Sequence, residues 1–152
     1  MRTQVAIIGS GPAGLLLGAL LTKAGIDTIL LDRAGRDHIL RRVRAGVLED
    51  GTVSLLDAAG AGARLHAEGL THEGFSLAFE GRTHRIDLAA LTGRHVTIYG
   101  QTEVTADLMA AREAAGALSI YAAANVRPHG FDGDAPHITY EKDGVTRRID
   151  CD

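Results

Sequence analysis

Val5-Ala6-Ile7-Ile8-Gly9-Ser10-Gly11-Pro12-Ala13-Gly14 is the stretch on which the fold turns. Its first four residues form a short apolar run stopped by glycine, the pattern of a parallel strand buried on both faces. Pro12 to Ala24 is rich in Leu and Ala, carries Pro at a first helical position and stops at Gly25, so it reads as a helix. Thr28-Ile29-Leu30-Leu31-Asp32 then repeats the strand pattern. Strand, helix and strand in this order predict a βαβ crossover and therefore a parallel sheet.

Gly9, Gly11 and Gly14 fit G-x-G-x-x-G at the strand-to-helix turn, and each glycine has its own physical reason. The turn is tight at Gly9, a pyrophosphate approaches the backbone at Gly11, and helix meets strand closely at Gly14. The helix N-terminus beyond offers unpaired N–H groups and a positive dipole end. Asp32 closes the second strand, roughly 20 residues further on, where a carboxylate accepts hydrogen bonds from ribose hydroxyls and repels a 2′-phosphate. The unit is thus a Rossmann-like dinucleotide site for NAD or for the adenosine half of FAD. The fingerprint itself does not separate the two.

Outward from this unit, Arg33 to Leu48 reads as loop plus a short helix, and Thr52 to Ala59 as a helix capped by Thr52 and stopped by Gly60. Phe75 to Phe79 alternates with period two and Arg82 to Leu88 follows a turn at Gly81, which predicts a hairpin. His95 to Tyr99 reads as a strand. Thr102 to Ala115 reads as a helix with Val104, Leu108, Ala111 and Ala115 on one face and Gly116 as its stop. Leu118 to Ala122, His137 to Lys142 and Val145 to Ile149 are strand-like, the last two joined at Asp143-Gly144, a strong two-residue hairpin signal. The fold class is α/β: a parallel sheet opened by the βαβ unit, an antiparallel β excursion and a β-meander.

Length and composition bound the rest. A chain of 152 residues is long enough to bury a core without a disulfide or metal staple. The 16 Lys and Arg against 19 Asp and Glu leave a net charge of -3, with no basic excess to draw nucleic acid or a membrane surface. The longest apolar stretch, Ala13 to Leu21, is too short to span a bilayer, and Met1 to Gln4 lacks a signal-peptide layout, so a cytoplasmic protein is expected. Cys151 stands alone. The seven histidines, His38, His66, His72, His84, His95, His129 and His137, show no metal-ligand spacing, so no metal is expected. No G-x-S-x-G elbow supports covalent catalysis. Arg147 to Asp152 ends the chain in or just after a strand, so residues 1–152 are expected to be the N-terminal portion of a longer protein.

Arg41-Arg42-Val43-Arg44-Ala45-Gly46-Val47-Leu48-Glu49 follows the second strand. By composition it is either a solvated basic face or a set of guanidiniums that clamp phosphates with forked hydrogen bonds. Gln4 to Gly9, Gly11-Pro12, Arg42 to Glu49, Gly69-Leu70-Thr71-His72-Glu73-Gly74 and Tyr99-Gly100-Gln101-Thr102-Glu103-Val104-Thr105 occur here in one order. In that order they resemble the 4-hydroxybenzoate 3-monooxygenases (p-hydroxybenzoate hydroxylases), a family of group A flavoprotein aromatic hydroxylases. The resemblance runs through the whole chain. It implies FAD as cofactor, NADPH or NADH as reductant, and insertion of one oxygen of O2 ortho to the hydroxyl of a small aromatic acid, in a homodimer.

Residue by residue, the resemblance implies that Gly9, Gly11 and Gly14 form the FAD pyrophosphate turn. Ala13 stands where the family can carry a serine, so its contact with phosphate comes from the backbone. Asp32 matches the family's ribose-binding Glu, one methylene shorter. Arg42, Val43, Arg44, Ala45, Gly46 and Val47 match the loop beside the flavin, with Arg44 reaching the phosphates and Ala45 to Val47 lining the isoalloxazine. Gln101 matches a further flavin contact. Arg33, Arg36 and His38 match the segment that reads NAD(P)H. His72 matches the solvent-end member of a proton relay that ionises the phenol, and its relay tyrosines would lie beyond residue 152. Two other readings stand beside this one: a flavoprotein hydroxylase of another aromatic acid, and a non-catalytic FAD- or NAD-binding module.

Overall fold

The computed structural model describes residues 1–152 and carries the opening unit as read. In chain order come β1 (Arg2–Thr3), β2 (Val5–Ile8), α1 (Pro12–Lys23), β3 (Thr28–Leu31) and α2 (Arg36–Leu40). Next are β4 (Val47–Glu49), α3 (Asp50–Ala59), α4 (Ala63–Glu68), β5 (Leu70–His72), β6 (Gly74–Phe79) and β7 (Arg82–Asp87). The rest of the chain forms α5 (Leu88–Thr92), β8 (Val96–Ile98), α6 (Gln101–Ala114), β9 (Ser119–Ile120), β10 (Ala124–His129), β11 (His137–Lys142) and β12 (Val145–Cys151).

A parallel sheet in the order β2-β3-β9 sits at the centre, with Ile8 beside Leu31 and Ile120 beside Leu31 on the other side. β10, β11 and β12 form the antiparallel meander, and β1 adds to its edge in parallel. Successive side chains of a strand point to opposite faces, so β3 serves two cores at once. Leu30 packs with Ile7, Leu15, Leu56 and Leu108 beneath the helices. Ile29 and Leu31 pack with Ile120, Ile138, Tyr140 and Ile149 against the meander. The domain is therefore layered as helices, parallel sheet and meander.

Double-sided burial holds for β3 and fails for β2. In β2 only Ile7 is buried, and Ile8 is 52% exposed. The reason is position: β3 is flanked by β2 and β9, whereas β2 is the edge of its sheet. Thr52 is not the cap of α3 either. That helix begins at Asp50, with Glu49 in extended backbone at the capping position. Leu88 leaves the hairpin strand and starts α5, because the Asp87 carboxylate accepts a hydrogen bond from the Ala90 amide at 2.8 Å and turns the chain into a helix.

The helical layer is held by an interaction absent from the sequence reading. Arg112 of α6 is almost fully buried without a carboxylate partner. Its guanidinium donates to Thr28 Oγ1 at 3.0 Å, to the Leu118 carbonyl at 3.1 Å and to Ser119 Oγ at 3.4 Å, which ties α6 to β3 and β9. Gly18 of α1 makes room for it, since a Cβ there would run into the guanidinium. On the outer side of α6, Arg64 Nε donates to Asp107 at 2.8 Å, Tyr99 Oη donates to the other Asp107 oxygen at 2.6 Å, and Arg64 pairs with Glu103 at 2.6 Å.

Candidate functional site

The central strands end at the glycine turn. Gly9 takes φ +113°, a conformation that a side chain resists, and its amide donates to the Leu31 carbonyl at 2.7 Å. Gly11 follows as the N-cap of α1, with open space where a Cβ would stand. Gly14 cannot carry a Cβ, because it would collide with the Gly9 carbonyl oxygen. The three reasons given for the glycines thus separate into a left-handed turn, an open approach and a close contact. α1 has no side-chain cap and no acidic residue in its first turn, so the amides of Ala13 and Gly14 face outward without competition.

Asp32 lies at the C-terminal end of β3, beside this turn. Its Oδ2 accepts from the Ser10 amide at 2.7 Å and from Ser10 Oγ at 2.8 Å, and its Oδ1 accepts from the Ala34 amide at 2.8 Å. Partial burial opposes ionisation, but the Ala34 and Ser10 amides, the Ser10 hydroxyl and the nearby Arg42 guanidinium outweigh it and hold the carboxyl below its ordinary value. The acid is therefore a carboxylate throughout the neutral range. Its main chain is also fixed, with Asp32 N donating to Ile120 O at 3.0 Å and Ala123 N to Asp32 O at 2.9 Å.

The arginine loop is exposed along Arg41 to Ala45 and anchored at its end. Tyr99 N donates to the Gly46 carbonyl at 2.8 Å, and a Cβ on Gly46 would lie 2.6 Å from Gly100 Cα. Gly46 is thus required by contact with the backbone that starts α6, and Gln101 is the first residue of that helix. Val47 follows in β4, opposite Ile98 of β8. The structure consequently gathers Gly9, Gly11, Ala13, Gly14, Asp32 and Arg42 at one rim, and Gly46, Val47 and Gln101 at a second point of the same loop. The Arg42 amide donates to the Ile39 carbonyl at 3.2 Å, and Val43, Arg44 and Ala45 span from there, exposed, to Gly46. Two helix N-termini, those of α1 and α6, flank this loop.

His72 stands apart from that cluster. It is exposed in β5, opposite Val96 of β8, and lines a cavity of about 600 Å³ with Val47, Phe75, His95 and Ile98. Val47 is the link between this cavity and the arginine loop. None of Tyr99, Tyr121 and Tyr140 lines it. Of the other predicted residues, Arg33 and His38 are exposed, whereas Arg36 is engaged with Glu113 of α6 at 3.3 Å. Ser10 is the site residue that the sequence reading missed. No local pattern marks it, because its partner Asp32 lies 22 residues further along the chain.

A βαβ turn with an open Gly11, a free helix N-terminus and a fixed carboxylate at the switch point of a parallel sheet defines a dinucleotide-binding α/β domain. The chain belongs to the family described as FAD binding domain, whose model matches residues 2–152. It is 50% identical, over its entire length, to p-hydroxybenzoate hydroxylase of Acinetobacter baylyi, and covers 38% of that protein. It is 37% identical to 6-methylpretetramide 4-monooxygenase of Streptomyces rimosus over 54% of this chain and 19% of that protein. Among solved structures, p-nitrophenol 4-monooxygenase PnpA of Pseudomonas putida superposes with TM-score 0.81 at 17% identity, over 99% of this chain and 39% of that one. The chain thus spans about two-fifths, or less, of the length of these proteins.

The residues present fit FAD. The site offers open space at Gly11, amides at the start of α1 for a diphosphate, and an ionised Asp32 for a ribose.

Proposed function

We propose that this chain is the FAD-binding N-terminal portion of an aromatic hydroxylase. The whole protein inserts one oxygen of O2 ortho to the hydroxyl of 4-hydroxybenzoate, giving 3,4-dihydroxybenzoate, with NADPH or NADH as reductant. The observation that carries the reading is 50% identity to a p-hydroxybenzoate hydroxylase over the full chain, together with an open glycine cradle facing Asp32.

The bound flavin supplies the redox chemistry and the activation of O2. The chain's own residues bind and orient. The amides of Ala13 and Gly14 and the α1 dipole receive the diphosphate, and Arg42 and Arg44 add positive charge from an exposed loop. Asp32 holds the adenosine ribose, while Ala45 to Val47 and Gln101 border the ring system. His72, exposed, passes the phenolic proton to solvent and so makes the ring a better nucleophile. Arg33, Arg36 and His38 form the face that meets NAD(P)H. The homodimer belongs to the same reading.

The test is substrate-stimulated NAD(P)H oxidation by the full-length protein across a panel of hydroxybenzoates, with the product identified. Yellow protein with 4-hydroxybenzoate as best effector and 3,4-dihydroxybenzoate as product is expected. Colourless protein unable to take up FAD would overturn the reading, and strongest stimulation by another aromatic acid would overturn the substrate.

A further inference from the structure

We propose that Ser10 is a positioning residue for the adenosine ribose: its hydroxyl and its own amide occupy one oxygen of Asp32 and leave the other oxygen as a single defined acceptor for the sugar. The inference rests on the FAD reading above and deepens it.

An ionised carboxylate offers about four lone-pair positions, two on each oxygen. Oδ2 of Asp32 receives two donors, Ser10 N at 2.7 Å and Ser10 Oγ at 2.8 Å. Oδ1 receives one, Ala34 N at 2.8 Å. One acceptor position therefore remains, and it is on Oδ1. Ser10 is 0% exposed, so its hydroxyl faces the carboxylate and not a ligand. It acts through Asp32 and touches nothing that binds.

The arrangement has a second consequence. Ser10 lies between Gly9 and Gly11, the two residues that shape the phosphate turn, and the Asp32 side chain grips that turn through it. The phosphate cradle and the ribose acceptor are thereby fixed to each other as one body, which lowers the ordering cost when a diphosphate and its ribose bind together. Without the hydroxyl, Oδ2 loses one donor, the carboxylate gains freedom to rotate, and two acceptor positions compete for the sugar. Arg42 is the charged group that acts on Asp32 from outside this set.

The experiment is titration of FAD into the apo form of the full-length protein between pH 4.5 and 8, followed by flavin fluorescence, for the wild type, Ser10→Ala, Asp32→Asn and the double variant. ADP-ribose as competitor isolates the ribose half. Ser10→Ala is expected to weaken FAD and ADP-ribose by about five- to tenfold, the net worth of one ordinary hydrogen bond, since the lost donor acts on the ligand only through Asp32. The pH at which FAD is lost on acidification moves upward, since Asp32 protonates more easily without that donor. The double variant binds no worse than Asp32→Asn alone, because Ser10 acts only through the acid. Ser10→Gly gives the same pattern and replaces the alanine variant where that one folds poorly. Unchanged affinity and pH midpoint in both serine variants, or losses that add in the double variant, would overturn the role of Ser10 while leaving the FAD reading intact. A wild type that binds no FAD would overturn both.

Discussion

Leu30 and Leu77 occupy the middle of two strands of similar apolar character, yet Leu30 in β3 is fully buried and Leu77 in β6 is 47% exposed. In β3 both faces have a layer to meet, helices on one side and the meander on the other. In β6 the period-two alternation puts Phe75, Leu77 and Phe79 on one face of the hairpin, and all three remain about half exposed. The difference teaches that strand period decides which residues share a face, while cover is decided by what lies above it. The nucleotide-facing half of the molecule is held by packing, and the hairpin by its ladder of cross-strand pairs.

The largest test of this contrast is a pair of truncations followed by urea denaturation. Leu30→Ala should cost about 3–4 kcal/mol, as for a buried leucine that leaves a cavity, and Leu77→Ala less than about 1 kcal/mol. Equal losses would mean that the hairpin face is covered, and the comparison would fail. Next comes Arg112→Met, which keeps the volume but removes three donors. Thr28 Oγ1, the Leu118 carbonyl and Ser119 Oγ would lose their partner together, at a cost of about 2 kcal/mol. A neutral result would show that apolar packing of α6 on β3 suffices without the polar tie.

A smaller effect separates the two regions by pH. The folded Asp32 carboxyl lies below its unfolded value, so its contribution to stability is complete above the ordinary carboxylate range and disappears as pH falls through the folded value. The wild type should therefore lose stability on acidification more steeply than Asp32→Asn, with the difference vanishing at the acid end. Parallel curves for the two proteins from neutral pH to the acid end would show that the Ser10, Ala34 and Arg42 interactions do not favour the ionised acid.

How much of this was readable in the chain follows the same division. The βαβ unit, the hairpins at Gly81 and Asp143-Gly144, and the α6 face at Val104 and Leu108 carry local signals strong enough to place them: apolar runs, turn glycines and helical period. β4, β5, α4 and α5 are short, so no period marks them. The site divides likewise. Gly9 and Gly14 are legible because the folded backbone forces glycine there, whereas Gly11, with open space around it, and Asp32 answer to the diphosphate and ribose of the proposed ligand. Ser10 and Arg112 are legible only after folding, since each is defined by a partner distant in sequence, Asp32 in one case and Thr28 in the other. Gly46 shows a mixture: its position in the loop suggested a place beside the flavin, but the contact that requires glycine there is with Gly100.

The smallest expected effect probes strain next to the cradle. Four residues other than glycine adopt positive φ: Glu80, Ala122, Asn125 and Asp143. Glu80 and Asp143 stand in the hairpin turns, and Asn tolerates this region through its short polar side chain. Ala122, at φ +55°, has neither excuse. It is held there by its amide, which donates to the Ala34 carbonyl at 3.0 Å, and by Ala123, whose amide donates to the Asp32 carbonyl at 2.9 Å. The left-handed conformation costs an L-residue about 1–2 kcal/mol, and a glycine would be free of it. Glycine also loses more conformational freedom on folding, by about 0.4–1 kcal/mol, which offsets much of the relief. Ala122→Gly should thus gain about 0.5 kcal/mol and raise the melting temperature by about 1–2 °C, with FAD affinity unchanged because both hydrogen bonds come from the backbone. A loss of stability instead would show that the extra freedom of glycine in the unfolded chain outweighs the strain, since Ala122 is exposed.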